Sequence, residues 1–141
     1  MTHKYTNMLM RIAMNHVLQG LDNFAKDFNM TGMQMSFIDF ISRQGDHEVL
    51  QRDLENEFDI QRSTATVLLQ RMEKRGLLYR QSSTSDGRQK SVFLTEKSRN
   101  LETQINSYMK QRQDALEKNF STEEIASFEK ILKFYINEED R

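Results

Sequence analysis

The most constraining feature of this sequence is a change in apolar periodicity within residues 60–95. Four apolar residues recur there at helical spacing and form one stripe that must be buried: Ala65, Leu68, Leu69 and Met72. Gly76 follows, at a position where helices commonly end in left-handed geometry. Two short β-prone runs, 77–79 and 91–94, then flank a polar loop in which Asp86-Gly87 is a hairpin signal. The sequence therefore predicts a helix with one buried face, followed by a β wing.

The surface of this helix outside the apolar stripe is rich in hydrogen-bond donors and cations. They are Gln61, Arg62, Ser63, Thr64, Thr66, Gln70, Arg71, Lys74 and Arg75. A helix that is buried on one side and carries donors on the other suits the major groove of duplex DNA. The alternative is an ordinary solvated helix face, which is what most charged helix surfaces are.

The polar loop of the predicted wing, residues 80–90, carries three cations and one carboxylate. Such a loop is too polar to fold inward, so we expect it to project from the protein. A cation at its tip can enter the narrow minor groove, where negative potential is concentrated. Asp86 is placed to hold the guanidinium of Arg88 through a charge-assisted hydrogen bond. The alternative is that Arg88 only pairs with Asp86 on an exposed loop.

Four short motifs in this region occur together in one known family. They are Arg62-Ser63-Thr64, Met72-Glu73-Lys74-Arg75-Gly76-Leu77, Asp86-Gly87-Arg88 and Leu94-Thr95-Glu96-Lys97. With them, the chain resembles the MarR family of winged helix-turn-helix transcription regulators. The resemblance extends along essentially the whole chain in length and helix order, and its specific part is residues 50–97.

The resemblance implies a mainly α fold with a small two- or three-stranded β wing, in a single domain over residues 1–141. A DNA-binding lobe would span 31–95, with the helix-turn-helix at about 50–75 and the wing at 77–94. Within it, 51–57 would be the first helix of the motif and 61–75 the recognition helix. The remaining segments, 1–30 and 96–141, would be dimerisation helices.

The chain departs from the family pattern at three places. Asp59 stands where the family usually has glycine in the turn, although aspartate tolerates left-handed geometry at modest cost. Gln51 and Gln61 stand at helix starts where serine, threonine or aspartate would cap better. Ser98 replaces a common glycine at the start of the long helix after the wing.

Three sets of DNA contacts follow from the resemblance. On the recognition helix they are Gln61, Arg62, Ser63, Thr64, Thr66, Gln70 and Arg71. Among these, the candidates for base edges are Gln61, Arg62, Thr66 and Gln70, whereas Ser63 and Thr64 either cap the helix or contact phosphate. On the wing they are Asp86, Arg88 and Lys90, and the further phosphate candidates are Gln51, Arg52 and Lys74.

The distribution of charge agrees with this assignment. Residues 59–90 carry seven cations and three anions, a net +4, in a chain whose total is −1. A basic segment on an otherwise acidic protein orients the molecule toward phosphate.

The rest of the chain shows the pattern of amphipathic helices. Apolar residues recur at helical spacing in 5–28, 33–44 and 96–118, and Ser121-Thr122-Glu123-Glu124 is a capping box that opens a last helix. Terminal helices this apolar need covering, and in the family they interlock with a second subunit. A two-fold axis would place two recognition helices roughly 34–36 Å apart, for a palindromic site. The alternative is that the stripes pack against each other within a monomer.

A small-molecule effector is a further expectation from the family, whose members often hold aromatic acids or phenols between the dimer helices and the DNA-binding lobe. The residues near that place are Met33, Met35, Phe37, Phe40 and His16. Flexible methionine-rich walls suit adaptable binding. Apolar residues at helical spacing are nevertheless more often core than pocket.

Several function classes are excluded by what the sequence lacks. It has no cysteine, its three histidines are far apart, and it has no glycine-rich phosphate loop or catalytic constellation. We therefore expect no metal, no cofactor and no enzymatic activity. No run approaches the ~20 apolar residues that span a bilayer, so we expect a cytoplasmic protein. The family resemblance implies a bacterial or archaeal cell.

The sequence thus predicts a homodimeric, sequence-specific regulator that binds double-stranded DNA, most often a repressor in this family. The alternative is a winged-helix module that binds another protein. Such a module is expected to lose the basic wing tip and to expose an apolar patch instead.

Overall fold

A computed structural model describes residues 4–137 of the chain. Its elements are α1 (Thr6–Lys26), α2 (Gly32–Arg43), α3 (Gln51–Phe58), α4 (Arg62–Lys74), β1 (Leu78–Ser82), β2 (Lys90–Leu94), α5 (Glu96–Arg99), α6 (Glu102–Asn119) and α7 (Thr122–Ile136). This confirms the mainly α fold with a small β wing. The chain forms two compact units that divide after Glu102. The boundaries predicted for a single domain stay a prediction.

Helix boundaries follow local capping chemistry. Thr31 Oγ1 accepts the Gln34 amide N–H at 3.2 Å, and the Gln34 side chain accepts the Thr31 N–H at 3.1 Å, which opens α2 with a capping box. The capping box predicted at Ser121 is confirmed, because Ser121 and Glu124 exchange bonds of 3.0 and 3.1 Å at the start of α7. Gly76 adopts a φ of +71° after α4, as predicted for a helix end.

Helices α1 and α2 meet at a close approach that only glycine allows. A Cβ at Gly32 would lie 2.6 Å from Oδ1 of Asp22 and 2.8 Å from Cγ of Leu21. The Gly32 N–H instead donates to that Asp22 oxygen at 2.7 Å. This contact fixes how closely α1 approaches the start of α2.

The turn between α3 and α4 accommodates the unusual Asp59. This residue has a φ of +49°, so the predicted left-handed geometry is present. Gln51 is the first residue of α3 rather than its cap, and the Asp53 carboxylate accepts the Leu50 N–H at 2.8 Å. Gln61 precedes α4 and makes no side-chain capping bond.

The wing is a two-stranded antiparallel sheet with a register that pairs Leu78 with Leu94 and Ser82 with Lys90. An isolated bridge between Leu50 and Ser91 adds one residue of a third strand. The rings of Tyr79 and Phe93 stack across the sheet with centroids 5.2 Å apart. β1 extends three residues beyond the predicted run 77–79, since polar residues 80–82 pair with β2.

The helix expected over 96–118 is broken, so that prediction is wrong at its first turns. α5 ends at Arg99, and α6 begins at Glu102. Ser98 is fully buried, and its hydroxyl donates to the Leu77 carbonyl at 2.5 Å. The Leu101 N–H then bonds the Ser98 carbonyl, three residues back, which tightens the chain into a turn. The serine that replaces the family's glycine is therefore a tie between α5 and the wing.

The core of the first unit fixes the orientation of α4. Its largest fully buried residues are Met35, Phe37, Ile38, Leu54, Leu69, Met72, Leu77 and Leu78. The stripe predicted on α4 is confirmed for Ala65, Leu69 and Met72, which are all fully buried, whereas Leu68 is half-buried. The opposite side of α4 is consequently left on the surface.

Candidate nucleic-acid interface

The outward side of α4 presents the residues expected to contact DNA. Its exposed members are Arg62, Ser63, Thr64, Val67, Gln70, Arg71 and Lys74, and Gln61 precedes them on the surface. Arg52 on α3 is exposed as well. The three cations of α4 have no salt bridge among the described residues, so their charge is available to a phosphate.

The wing loop is a tight turn built around Asp86. Its backbone carbonyl accepts the Gln89 N–H at 2.9 Å, and its carboxylate accepts the Arg88 N–H at 3.1 Å. The same carboxylate lies 3.5 Å from Nε of Arg88, so the predicted pair is present but long. The Arg88 side chain is 92% exposed. Asp86 therefore shapes the turn, and the turn projects Arg88 into solvent.

Glu48 anchors the base of the wing loop, a role that the sequence did not reveal. One of its carboxylate oxygens accepts the Ser83 hydroxyl at 2.9 Å and the Ser85 hydroxyl at 2.7 Å. The Ser83 oxygen in turn accepts the N–H groups of Ser85 and Asp86, both at 3.2 Å. The only sequence signal was the serine-rich run before Asp86, and nothing in it pointed to a partner 35 residues away.

These hydrogen bonds predict how Glu48 titrates. The Ser85 hydroxyl, with that of Ser83, holds the pKa of Glu48 below its ordinary 4.5. Because the folded pKa is the lower one, the stabilisation of the wing base is full above pH 4.5 and is lost as pH falls through the folded value. An NMR titration of the Glu48 carboxyl should show a midpoint below 4.5. Replacing both serines by alanine should return the midpoint toward the ordinary value, and a native midpoint at or above it would contradict the assignment.

Residues of α4 and of the wing line one cleft of about 210 Å³. Its cations are Arg62, Arg80, Arg88 and Lys90, and its other members are Gln51, Glu55, Thr66 and Gln89. The structure thus brings together predicted contacts from two segments separated by more than twenty residues. The cations of this cleft outnumber its one carboxylate, that of Glu55, and make a positive surface beside the outward face of α4.

Comparison with known proteins identifies the family. A sequence profile described as the MarR family matches residues 28–89. The crystal structure of the transcription regulator MarR from Oenococcus oeni PSU-1 is 50% identical, with a TM-score of 0.88, over 94% of this chain and 98% of that one. The chain belongs to the MarR family. Members of this family are transcription regulators rather than enzymes, which confirms the predicted family, fold and lack of enzymatic activity.

More distant structures share the fold of this MarR family regulator. The S. aureus MepR–DNA complex is 21% identical, with a TM-score of 0.81, over 95% of this chain and 97% of that one. The transcriptional regulator SlyA is 21% identical, with a TM-score of 0.73, over 94% of each chain. No curated protein matches this sequence.

Two polar residues expected to contact DNA use side-chain donors in hydrogen bonds within this MarR family regulator. Gln51 is only 6% exposed, and its Nε2 donates to Oγ1 of Thr66 at 2.9 Å. The Thr66 hydroxyl donates its one proton to the Arg62 carbonyl at 2.9 Å. These bonds do not favour the predicted phosphate contact of Gln51, and they leave Thr66 without a proton to donate to a base.

Arg75 and Arg80, counted above among the cations of the basic segment, also have internal partners. Arg75 donates to the side-chain oxygen of Gln34 at 2.9 Å and to the Asn29 carbonyl, so it ties the end of α4 to the start of α2. Arg80 binds the Glu73 carboxylate at 2.8 Å. The expectation that Arg75 contacts DNA is therefore not favoured, because its guanidinium already serves the fold.

In the part of the chain that the structure describes, the residues suggested for an effector are divided between the core and the surface. Phe37 is fully buried, and its ring lies 5.0 Å from that of Phe58. Phe40 lines a cavity of about 400 Å³ with Gln44, Glu48, Val49, Asp53, Asn56 and Glu57, and none of the other candidates lines it. Met33 and His16 are exposed. Phe37 has the position of a core residue, as the alternative interpretation expected.

Within residues 4–137, no group of three or more histidine, cysteine, aspartate or glutamate side chains is arranged to hold a metal ion. In the same part of the chain, no helix is long and apolar enough to cross a membrane.

Proposed function

We propose that this MarR family regulator is a homodimer that recognises a palindromic site in double-stranded DNA. In each subunit α4 enters the major groove, and Arg88 enters the flanking minor groove. The observation that carries the proposal is the cleft in which Arg62 of α4 and Arg88 and Lys90 of the wing lie together. Arg88 combines full charge with 92% exposure at the end of an ordered turn, which suits a groove rather than a protein partner.

The dimer is supported by the apolar surface of the terminal helices. In α1, Met8, Leu9, Met14, Val17 and Leu18 are all exposed. In α7 no residue is buried, and Phe128, Ile131, Phe134 and Ile136 are exposed. Within the second unit, Leu116, Phe120, Ile125 and Phe128 line a largely apolar hollow of about 410 Å³. Apolar surfaces of this extent on a monomer mark an interaction site, and a second copy of the same helices is the occupant that the family resemblance supplies.

Regulation follows from occupancy of the site. In the cytoplasm, a dimer bound over a promoter excludes other proteins, so we propose repression of nearby genes. A small aromatic or phenolic effector would release the dimer only if it bound the DNA-free arrangement more tightly than the bound one.

Selection of bound fragments from a random duplex library, with the solution mass recorded alongside, tests the proposal. We expect a mass of two chains, each of 16.8 kDa, and an enriched palindrome whose half-sites lie about one helical turn apart. Enrichment by a monomer would overturn the dimer. An intact dimer that enriches no sequence would instead support the protein-binding alternative, which a repeat with candidate phenolic acids present would check.

A further inference from the structure

One exposed residue of α4 differs chemically from the rest of its outward side. Val67 is 44% exposed, whereas the other exposed residues of α4 are all polar or charged: Arg62, Ser63, Thr64, Gln70, Arg71 and Lys74. Two residues along a helix correspond to about 200° of rotation. Val67 is two residues from both Ala65 and Leu69, which are fully buried, so it points away from the core.

The fold does not explain this valine. An outward residue of α4 contributes nothing to the buried stripe, and a β-branched residue is a weaker helix former than alanine or leucine. A single exposed apolar residue needs no explanation on an ordinary surface. If this surface faces DNA, however, contact with the base edges removes the Val67 side chain from water. Its apolar character then affects which base is preferred.

The major groove offers one apolar group, the C5-methyl of thymine. We propose that Val67 is a specificity-determining residue that packs against the C5-methyl of one thymine in each half-site. The inference rests on the proposed function, because it requires α4 to lie in the major groove. Ser63, Gln70 and Arg71 lie four residues before and three and four residues after Val67, so they surround it on the helix surface. The thymine should therefore adjoin bases or phosphates that these polar residues contact.

The expected change in the binding constant follows from the apolar area that binding removes from water. Burial of one methyl-sized group changes a binding constant by about fourfold. The methyl groups of Val67 and the C5-methyl of thymine would each cover the other from water. Loss of either partner should thus weaken binding by a similar factor. Loss of both should cost little more than loss of one, since the second partner then has nothing to contact.

The experiment combines a protein variant with a DNA variant that removes the same contact. In the selected site, each thymine is replaced in turn by uracil, which lacks only the methyl group, and dissociation constants are measured for the native protein and for Val67→Ala. We expect one thymine per half-site at which uracil weakens the native protein about fourfold and leaves Val67→Ala unaffected. Gln70→Ala is the matched control on the same helix surface, and it should keep the sensitivity to uracil.

The outcomes separate this inference from the proposed function. If no sequence is selected, the proposed function fails before the uracil test begins. If a site is selected and no thymine is sensitive to uracil, or if Val67→Ala keeps the sensitivity, the role of Val67 is overturned while the regulator stands. Thermal unfolding of Val67→Ala should match that of the native protein, because the side chain lies outside the core and alanine favours the helix.

Discussion

Replacement of Arg80 by methionine should lower the free energy of unfolding by about 2 kcal/mol and broaden the base preference of the protein. The Arg80 side chain is only 16% exposed. It donates to the Glu73 carboxylate of α4 at 2.8–2.9 Å and to the side-chain oxygen of Gln51 in α3 at 2.9 Å. Methionine keeps most of the apolar stem and removes every donor, so Glu73 and Gln51 lose partners that water replaces only in part.

The expected effect on base preference comes from the direction of these hydrogen bonds. An arginine has no acceptor, so the oxygen of Gln51 must face Arg80 and its NH₂ must face Thr66. The Thr66 hydroxyl is then obliged to accept from Gln51 and to donate to the Arg62 carbonyl. Without Arg80 the Gln51 amide can turn over and the Thr66 hydroxyl can rotate, which lets α4 offer a different surface to a base. Arg80 is thus a positioning residue for the recognition helix.

Urea unfolding and library selection measure the two parts of this prediction. Arg88→Met is the matched control from the same wing, because its side chain is 92% exposed and should leave the free energy of unfolding unchanged. Equal stability of the two variants would refute the structural role of Arg80. If Arg80→Met is destabilised but selects the same site with the same base preference as the native protein, Arg80 contributes to stability alone.

Local signals in the sequence were enough to predict the main helices and their ends. Gly76 and Asp59 adopt the left-handed geometry expected of them, and Ser121 caps α7 through Glu124 as its spacing indicated. Each of these depends on residues within four positions of one another, where the backbone restricts which groups can meet. The break before α6 was not predicted, and one hydrogen bond beside it joins residues far apart in sequence. Ser98 binds the Leu77 carbonyl, 21 residues earlier.

Long-range polar contacts decide which cations of the basic segment have partners within the protein. Arg75 and Gln34 are 41 residues apart, and Arg80 and Gln51 are 29 apart. An arginine that serves the fold and one that faces solvent have the same sequence signature, because both occur on polar helix or strand positions. Only the packing of α2, α3 and the wing around α4 decides which cations are internal.

The distinction between internally paired and exposed cations reduces the positive charge that is available to DNA. Of the seven cations in residues 59–90, Arg75 and Arg80 are engaged within the protein. The five exposed ones are Arg62, Arg71, Lys74, Arg88 and Lys90. Three of these lie on α4 and two on the wing, so the exposed positive charge of this segment is divided between two elements. The contribution of the wing to affinity can therefore be separated experimentally from that of the helix.

Arg88→Ala should weaken binding to every duplex and flatten the dependence of affinity on salt. A charged hydrogen bond or groove contact contributes about 1.5 kcal/mol or more, which corresponds to about a tenfold loss of affinity per wing. Loss of one cation should reduce the slope of log K against log salt by about one unit per wing, because fewer counterions are released on binding. The measurement is a titration of the selected site at several salt concentrations.

Two matched variants show whether charge or shape is responsible. Arg88→Lys keeps the charge, so it should restore most of the salt slope, but its compact ammonium should recover only part of the affinity for a narrow minor groove. Lys90→Ala removes a cation of the same wing at the base of the turn and should cost less than Arg88→Ala. Since Arg88 makes only a 3.5 Å pair with Asp86 in the free protein, its removal should not alter folding. An unchanged affinity and salt slope in Arg88→Ala would place the wing outside the DNA contact altogether.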